Sequence, residues 1–256
     1  MQMFILILSS LAIVSSVSAA PTHTSHQTQD TVVRYSSLPS QVPANPRSEN
    51  IDLVHALELA PLAKQRTALL NHSGDFKFDF LNPHPDAIAE GDGGHLVVPN
   101  SFIFQALIGN SAMMSMGFIK PCGFNTPHSH PRATEIQVVV KGQLGSEMIT
   151  ENSVGPIQNL LSLYQMTVYP QGAMHLQYNP TCEGSVFVSA FNFEDPGVQQ
   201  AAQTFFGLRS DALQASLAVE AINGDDIETF AHPIPSNIAV GIAACLAHCG
   251  LSNKTG

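Results

Sequence analysis

The chain has 256 residues, 44% of them hydrophobic and only 12% charged, with 10 Lys plus Arg against 20 Asp plus Glu and a formal charge of −10. A charged share about half the usual 25%, on an acidic balance, excludes a nucleic-acid-binding protein, whose phosphate partners need a basic footprint. It argues equally against an anionic membrane surface, and the apolar share supplies a sizeable core.

Residues 1–20 carry a short apolar run, MFILILSSLAIVSS, followed by Ser16, Val17, Ser18, Ala19 and Ala20, small residues that suit a signal peptidase. The run is shorter than the about 20 residues of a membrane span. Cleavage after Ala19 or Ala20 is predicted, although no Lys or Arg precedes the run. The expected product is secreted, extracellular or in a cell wall, with no membrane segment after cleavage.

Residues 21–74 read as an N-terminal arm with a helix. Pro21 to Glu49 is rich in Ser, Thr, Gln and Pro, a composition that stays extended. Ile51 to Leu70 has Leu53, Val54, Leu57 and Ala60 at helical spacing, with Asn50 or Asp52 as a cap and Pro61 as a kink or break. Asn71 opens a glycosylation sequon, as does Asn253.

Residues 75–200 consist of short runs between Gly, Pro and Asn: FKFDF, HLVVP, FQALIG, MMSMGFI, EIQVVVKG, LGSEMI, SLYQMTVYP, MHLQY and SVFVSAFNF. That many short strands with turns between them predicts an all-β sandwich or barrel. Residues 201–256 form a helical extension, introduced by apolar spacing from Val198 to Phe206 and continued from Ser210 to Ile222 and from Ser236 to Leu246. Ser210 and Ser236 are candidate N-caps, and Gly250 can close the last helix.

Within the strand-rich part, PCGFNTPHSHPRATEIQVVVKG brings together His128, His130 and Glu135, and His175 follows in PQGAMHLQYN. Residues two apart on a strand share a face, so His128 and His130 can hold one metal ion side by side, and Glu135 can add a carboxylate oxygen. Three imidazoles and one carboxylate without thiolate favour Mn, Fe or Ni over a structural zinc. Alone, H-x-H spacing is commonly accidental in a chain with 11 histidines; the four-residue pattern is much rarer.

The whole pattern resembles the cupin superfamily. Its first motif has a glycine, five residues, H-x-H, three or four residues, E, six residues and a glycine. Here His128, His130, Glu135 and Gly142 match, with Cys122 in place of the first glycine. Its second motif is matched by Pro170, Gly172, His175 and Asn179, with Tyr164 in place of the leading glycine. NTPHSHPRATEI is similar to germins and to the secreted germin-like and spherulin-like proteins of fungi and slime moulds, and FNFEDPGVQQAAQTFFGL resembles the exit from a germin barrel.

The resemblance implies a single-domain jelly-roll barrel with C-terminal helices that clasp a neighbouring subunit, hence a homo-oligomer. It implies a Mn2+ site at His128, His130, Glu135 and His175, ahead of Fe, Ni or Zn, with open positions for a dicarboxylate such as oxalate, for dioxygen or for superoxide. Asn125 stands where germins with oxalate oxidase activity carry a substrate-binding asparagine, and it reads equally as a turn residue. Their second active-site asparagine aligns with Ser115, which puts oxalate oxidation in question. Met114 and Met116 could face the cavity, with core packing as the competing role. A non-enzymatic secreted cupin of a wall, spore coat or defence layer is the alternative function.

Arg132 reads as a structural partner of an acidic group rather than a catalytic residue, and Asn179 as a turn anchor. Four cysteines in an oxidising context predict disulfides. Because both motifs converge in a cupin barrel, Cys122 with Cys182 is the expected bridge, leaving Cys245 with Cys249. Cys122 as a metal ligand is the weaker alternative.

Overall fold

Two short helices open the part of the chain that the computed structural model describes, residues 41–217, 234–235 and 237–252. Helix α1, Ile51–Glu58, starts at Asn50, whose side chain accepts the Leu53 amide at 3.0 Å, satisfying an otherwise orphaned donor. Pro61 separates it from α2, Ala63–Leu69. Leu53, Val54 and Leu57 bury one face of α1 against Leu70, Ala106 and Ile108. Arg47 pairs with the buried Asp75; burial pushes this carboxyl up, but the Arg47 hydrogen bond and the His72 amide outweigh it and hold it below its usual value.

Twelve strands follow. One sheet has the order β1-β2-β3-β10-β5-β8 and the other β11-β4-β9-β6-β7, with β12 beside β4. Their ranges are β1 Ile88–Gly91, β2 Gly94–Val97, β3 Met113–Ile119, β4 Gly123–Ser129, β5 Glu135–Lys141 and β6 Leu144–Ile149. The remainder are β7 Ile157–Leu161, β8 Met166–Tyr169, β9 Met174–Tyr178, β10 Ser185–Phe191, β11 Gln199–Gln200 and β12 Ile238–Val240. All pairings are antiparallel. The two sheets form a jelly-roll-like sandwich, as the strand-rich pattern and the motif resemblance predict.

Period-2 alternation decides what enters the space between the sheets. One end is apolar, packed by Ile119, Val139, Leu144, Leu161, Phe187 and Ile238. The opposite end holds the histidines. Strand β3 buries Met113 and Ser115 while Met114 is 47% exposed, so Met114 and Met116 lie on the outer face and the cavity-facing role considered for them is corrected.

Two expected strands are not strands. FKFDF runs from a 3-10 turn, Ser73–Phe76, into irregular chain, and FQALIG holds the 3-10 turn Gln105–Leu107. Their aromatic residues pack on one another instead of entering a ladder: Phe78 lies 5.0 Å from Phe80 and 5.5 Å from Phe104, covering Val97 and Ile103. Strands β1 and β7 were not expected; β7 exposes four of its five residues, leaving no alternation to read.

After the barrel come α3, Ala201–Phe206, α4, Ser210–Leu217, and α5, Ala243–Cys249. The helix expected from Ser236 to Leu246 is corrected in its first half: Ile238–Val240 pairs with Gly123–Asn125 as β12, and Gly241, at φ 153°, breaks the chain before α5. Gly250 closes α5 in the left-handed conformation.

The cysteine pairing is also corrected. Cys122 bonds Cys245 and Cys182 bonds Cys249. Residues four apart on a helix share a face, so Cys245 and Cys249 both meet the barrel end and each takes a different partner there. Cys122 thereby has no thiolate to offer a metal. Asn71 is exposed; the signal segment, Ser236 and Asn253 lie outside the described residues.

Candidate metal centre

His128 lies on β4 and His175 on β9, directly opposite in the ladder. Asn125, three residues before His128, also points inward, although strict alternation would send it outward. A bulge between Asn125 and His128 resets the phase. His130 follows the end of β4, and Glu135 opens β5 in the facing sheet. One ligand atom from each of His128, His130, Glu135 and His175 lies within 4.8 Å of all the others.

The orientation of the three rings is fixed from behind. His128 Nδ1 meets the Thr126 carbonyl at 2.8 Å, His130 Nδ1 the Gly197 carbonyl at 2.6 Å, and His175 Nδ1 the Ala173 carbonyl at 2.8 Å. A carbonyl only accepts, so each Nδ1 carries the proton and each Nε2 presents a lone pair. Glu135 Oε2 stands 3.1 Å from both His130 Nε2 and His175 Nε2. Burial, reinforced by the neighbouring His175, pushes His128 down to about 3, which keeps that ring neutral. Burial pushes the Glu135 carboxyl up, but the His130 and His175 rings against its Oε2 prevail and hold it well below the usual carboxylate range. A neutral His128 and an ionised Glu135, with the three Nε2 atoms and Oε2 converging, suit a divalent cation, which binds deprotonated donors. The donors fit a metal ion.

Several supporting residues carry no signal in the motifs. Glu135 Oε1 accepts from Ser189 Oγ at 2.5 Å and from Gln137 Nε2 at 3.2 Å. Tyr169 stacks on His175, with centroids 4.1 Å apart and an interplanar angle of 14°, and donates to Ser146 Oγ at 2.8 Å. Asn125 Nδ2 donates to Gln177 Oε1 at 3.0 Å and lies 3.4 Å from His128 Nε2. Gln137 and Gln177 could have been found, because each stands two residues beyond a candidate ligand on the same strand face. Ser189 is reached only through the β10–β5 pairing.

Beside the cluster lies a cavity of about 290 Å³ lined by Ser115, Asn125, His128, His130 and Glu135 among others. Ser115 and Asn125 therefore share the chamber with three of the four candidate ligands. Arg132 instead binds Asp195, through its carbonyl at 2.8 Å and its carboxylate at 2.7 Å. Asn179 ties Lys120, Glu183 and Thr181 into the turn after β9.

The family model for cupins matches residues 78–221. Spherulin-1A of Physarum polycephalum is 41% identical over 202 residues, covering 79% of this chain and 80% of its own. Germin-like protein 4-1 of Oryza sativa subsp. japonica is 37% identical over 102 residues, 38% of this chain and 40% of its own. Among solved structures, an oxalate oxidase superposes with a TM-score of 0.53 at 24% identity, over 63% of this chain and 84% of that one. A Bacillus subtilis oxalate decarboxylase with Mn(II) centres gives 0.53 at 16%, over 60% and 39%. With the motif residues gathered at the barrel's polar end and relatives of this kind over most of its length, the chain belongs to the cupin family, as a germin-like and spherulin-like member.

Proposed function

We propose that this protein is a secreted manganese cupin in which His128, His130, Glu135 and His175 hold the metal and the adjoining chamber admits a small oxygen-bearing substrate. The observation that carries the reading is the convergence of three Nε2 atoms and Glu135 Oε2, each imidazole held from behind by a backbone carbonyl. Three nitrogens and one oxygen suit Mn better than a structural zinc. When bound, the metal supplies Lewis-acid and one-electron redox chemistry.

The chain's own residues bind and orient. Ser115 and Asn125 offer a hydroxyl and an amide to substrate oxygens, and the apolar wall of the chamber excludes water. For oxalate, two electrons and the carbon–carbon bond would be given up to yield two molecules of carbon dioxide, dioxygen taking the electrons and two protons to become hydrogen peroxide. For superoxide, no organic substrate is needed. Two disulfides favour an oxidising compartment, in keeping with the leader-like residues 1–20.

A homo-oligomer is supported by the outer face of the six-stranded sheet. Val168, Ile136, Ala190 and Met114 line up across four strands, and Val168, Ile136 and Met114 are each more than 40% exposed. An apolar row of this kind on a sheet face marks an association surface.

The test begins with elemental analysis of the secreted protein and of the His128→Ala plus His130→Ala double variant. Near-stoichiometric Mn in the first and its loss in the second are expected; equal content in both would sink the site. Peroxide formation from oxalate and superoxide removal by the Mn-loaded protein then separate the two reactions. A non-enzymatic extracellular role is the second reading, favoured by Ser115 at the wall of the chamber, where the resemblance to oxalate-oxidising germins calls for an asparagine. Metal retained with neither activity would select it.

A further inference from the structure

We infer that the chamber beside the four-residue cluster is built for an uncharged or singly ionised organic molecule, with two adjacent oxygen donors on an apolar body, rather than for a small dianion. The inference rests on the metal-site reading above and narrows its substrate.

Size is the first argument. The chamber measures about 290 Å³, close to the lower end of small-molecule sites at about 300 Å³, and a two-carbon dicarboxylate would leave most of it unfilled. Wall chemistry is the second. Leu96, Val98, Met113, Phe187 and Phe191 supply hydrocarbon, and four of the five belong to β2, β3 and β10, so the wall is part of the barrel rather than of a mobile loop. Hydrogen-bonding groups gather at the cluster, where Ser115 and Asn125 stand. A ligand matched to this division is polar at the cluster and apolar beyond it, whereas a second carboxylate pushed against the hydrocarbon would lose hydration without a partner.

Charge is the third argument. Among the described residues, the lining contains no Lys or Arg and two further carboxylates, Glu194 and Asp195. Asp195 is paired with the half-exposed Arg132. Glu194 pairs with no cation among the described residues: its two oxygens accept the amides of Gly109 at 2.9 Å and Ser111 at 2.7 Å, which fix the carboxylate without cancelling its charge. A divalent ion bound with Glu135 carries one net positive charge. A singly ionised chelating ligand neutralises it, while a dianion overshoots and meets Glu194 as a like charge.

Calorimetric titration of the Mn-loaded protein with maltol, a hydroxyketone on an apolar ring, and with oxalate tests the idea. Each affinity is divided by that for free Mn2+ in the same buffer, and bound metal is measured after each titration. At least a tenfold preference for maltol on this scale is expected. Met113→Gln and Val98→Thr, both close to the native side chains in size, should each weaken maltol several-fold and leave oxalate within twofold. Glu194→Gln should strengthen oxalate several-fold with maltol unchanged. With metal bound at the four ligands, a corrected preference for oxalate, or an oxalate affinity indifferent to Glu194→Gln, overturns the inference alone. Failure of the wild-type protein to bind metal there overturns the metal-site reading and the inference with it.

Discussion

Ser189 Oγ donates to Glu135 Oε1 at 2.5 Å, and this contact leaves Oε2 as the carboxylate oxygen that faces His130 and His175. A carboxylate free to rotate could offer both oxygens to a cation and occupy a position that a substrate needs.

Ser189→Ala should therefore weaken Mn binding by about 10- to 100-fold, the usual effect of removing a partner that orients a ligand. Competition against a metal-sensitive dye measures it, and unchanged affinity would show that Gln137 alone suffices. The thermal midpoint of the metal-free variant should shift little, because the serine is small and its neighbours stay in place.

Metal-stripped protein should lose stability as the solution is acidified. His128 is held at about 3 against an ordinary 6.5, so within that window the unfolded chain binds a proton that the folded chain refuses. Stability from this group is complete above 6.5 and is lost as pH falls toward 3; the lowered Glu135 adds a loss of the same sign at lower pH. Urea unfolding at stepped pH should show a decline on the order of a few kcal/mol between neutral pH and about pH 4. His128→Asn should flatten it, and an equally steep decline in that variant would remove His128 as the source.

Tyr164 and Cys122 stand where the two cupin motifs carry glycine, and both adopt left-handed backbone, at φ 62° and 59°. That conformation costs a side-chain-bearing residue roughly 1–2 kcal/mol. Tyr164 is 76% exposed and gives little packing in return. Tyr164→Gly should raise stability by about 0.5–1 kcal/mol once the greater freedom of glycine in the unfolded chain is set against the relief, read as a higher urea midpoint at constant slope. A lower midpoint would mean that the ring packs against something beyond the described residues.

Peptide mapping under non-reducing conditions should link the Cys122 peptide to that of Cys245 and the Cys182 peptide to that of Cys249. Replacing the pair by serine should cost about 5 kcal/mol for Cys122–Cys245 and somewhat less for Cys182–Cys249 by the loop-entropy relation, given separations of 123 and 67 residues. Recovery of a Cys122–Cys182 peptide would contradict the pairing.

Much of the site was legible because it is local: His128, His130 and Glu135 fall within eight residues, and strand alternation turns their spacing into a shared face. His175 was legible through its own motif. The rest depends on which strands become neighbours. Ser189 reaches Glu135 only because β10 lies beside β5, and nothing in SVFVSAF names that partner. The bulge that turns Asn125 inward likewise has no local signature. FKFDF misled because alternating aromatic residues serve a surface cluster as readily as a ladder. The disulfides were misjudged because the relevant geometry, a helix face laid on the barrel end, belongs to tertiary docking.

Cys122 leaves the ribosome long before Cys245 exists, and Cys182 long before Cys249. Throughout synthesis of the barrel, the two early thiols are therefore the only pair available to each other. A Cys122–Cys182 bond formed in that interval would have to be exchanged before the last helix could dock. Efficient maturation of this protein should thus depend on a disulfide isomerase rather than on an oxidant alone, because a helix made after the barrel is the one that locks the first motif strand in place.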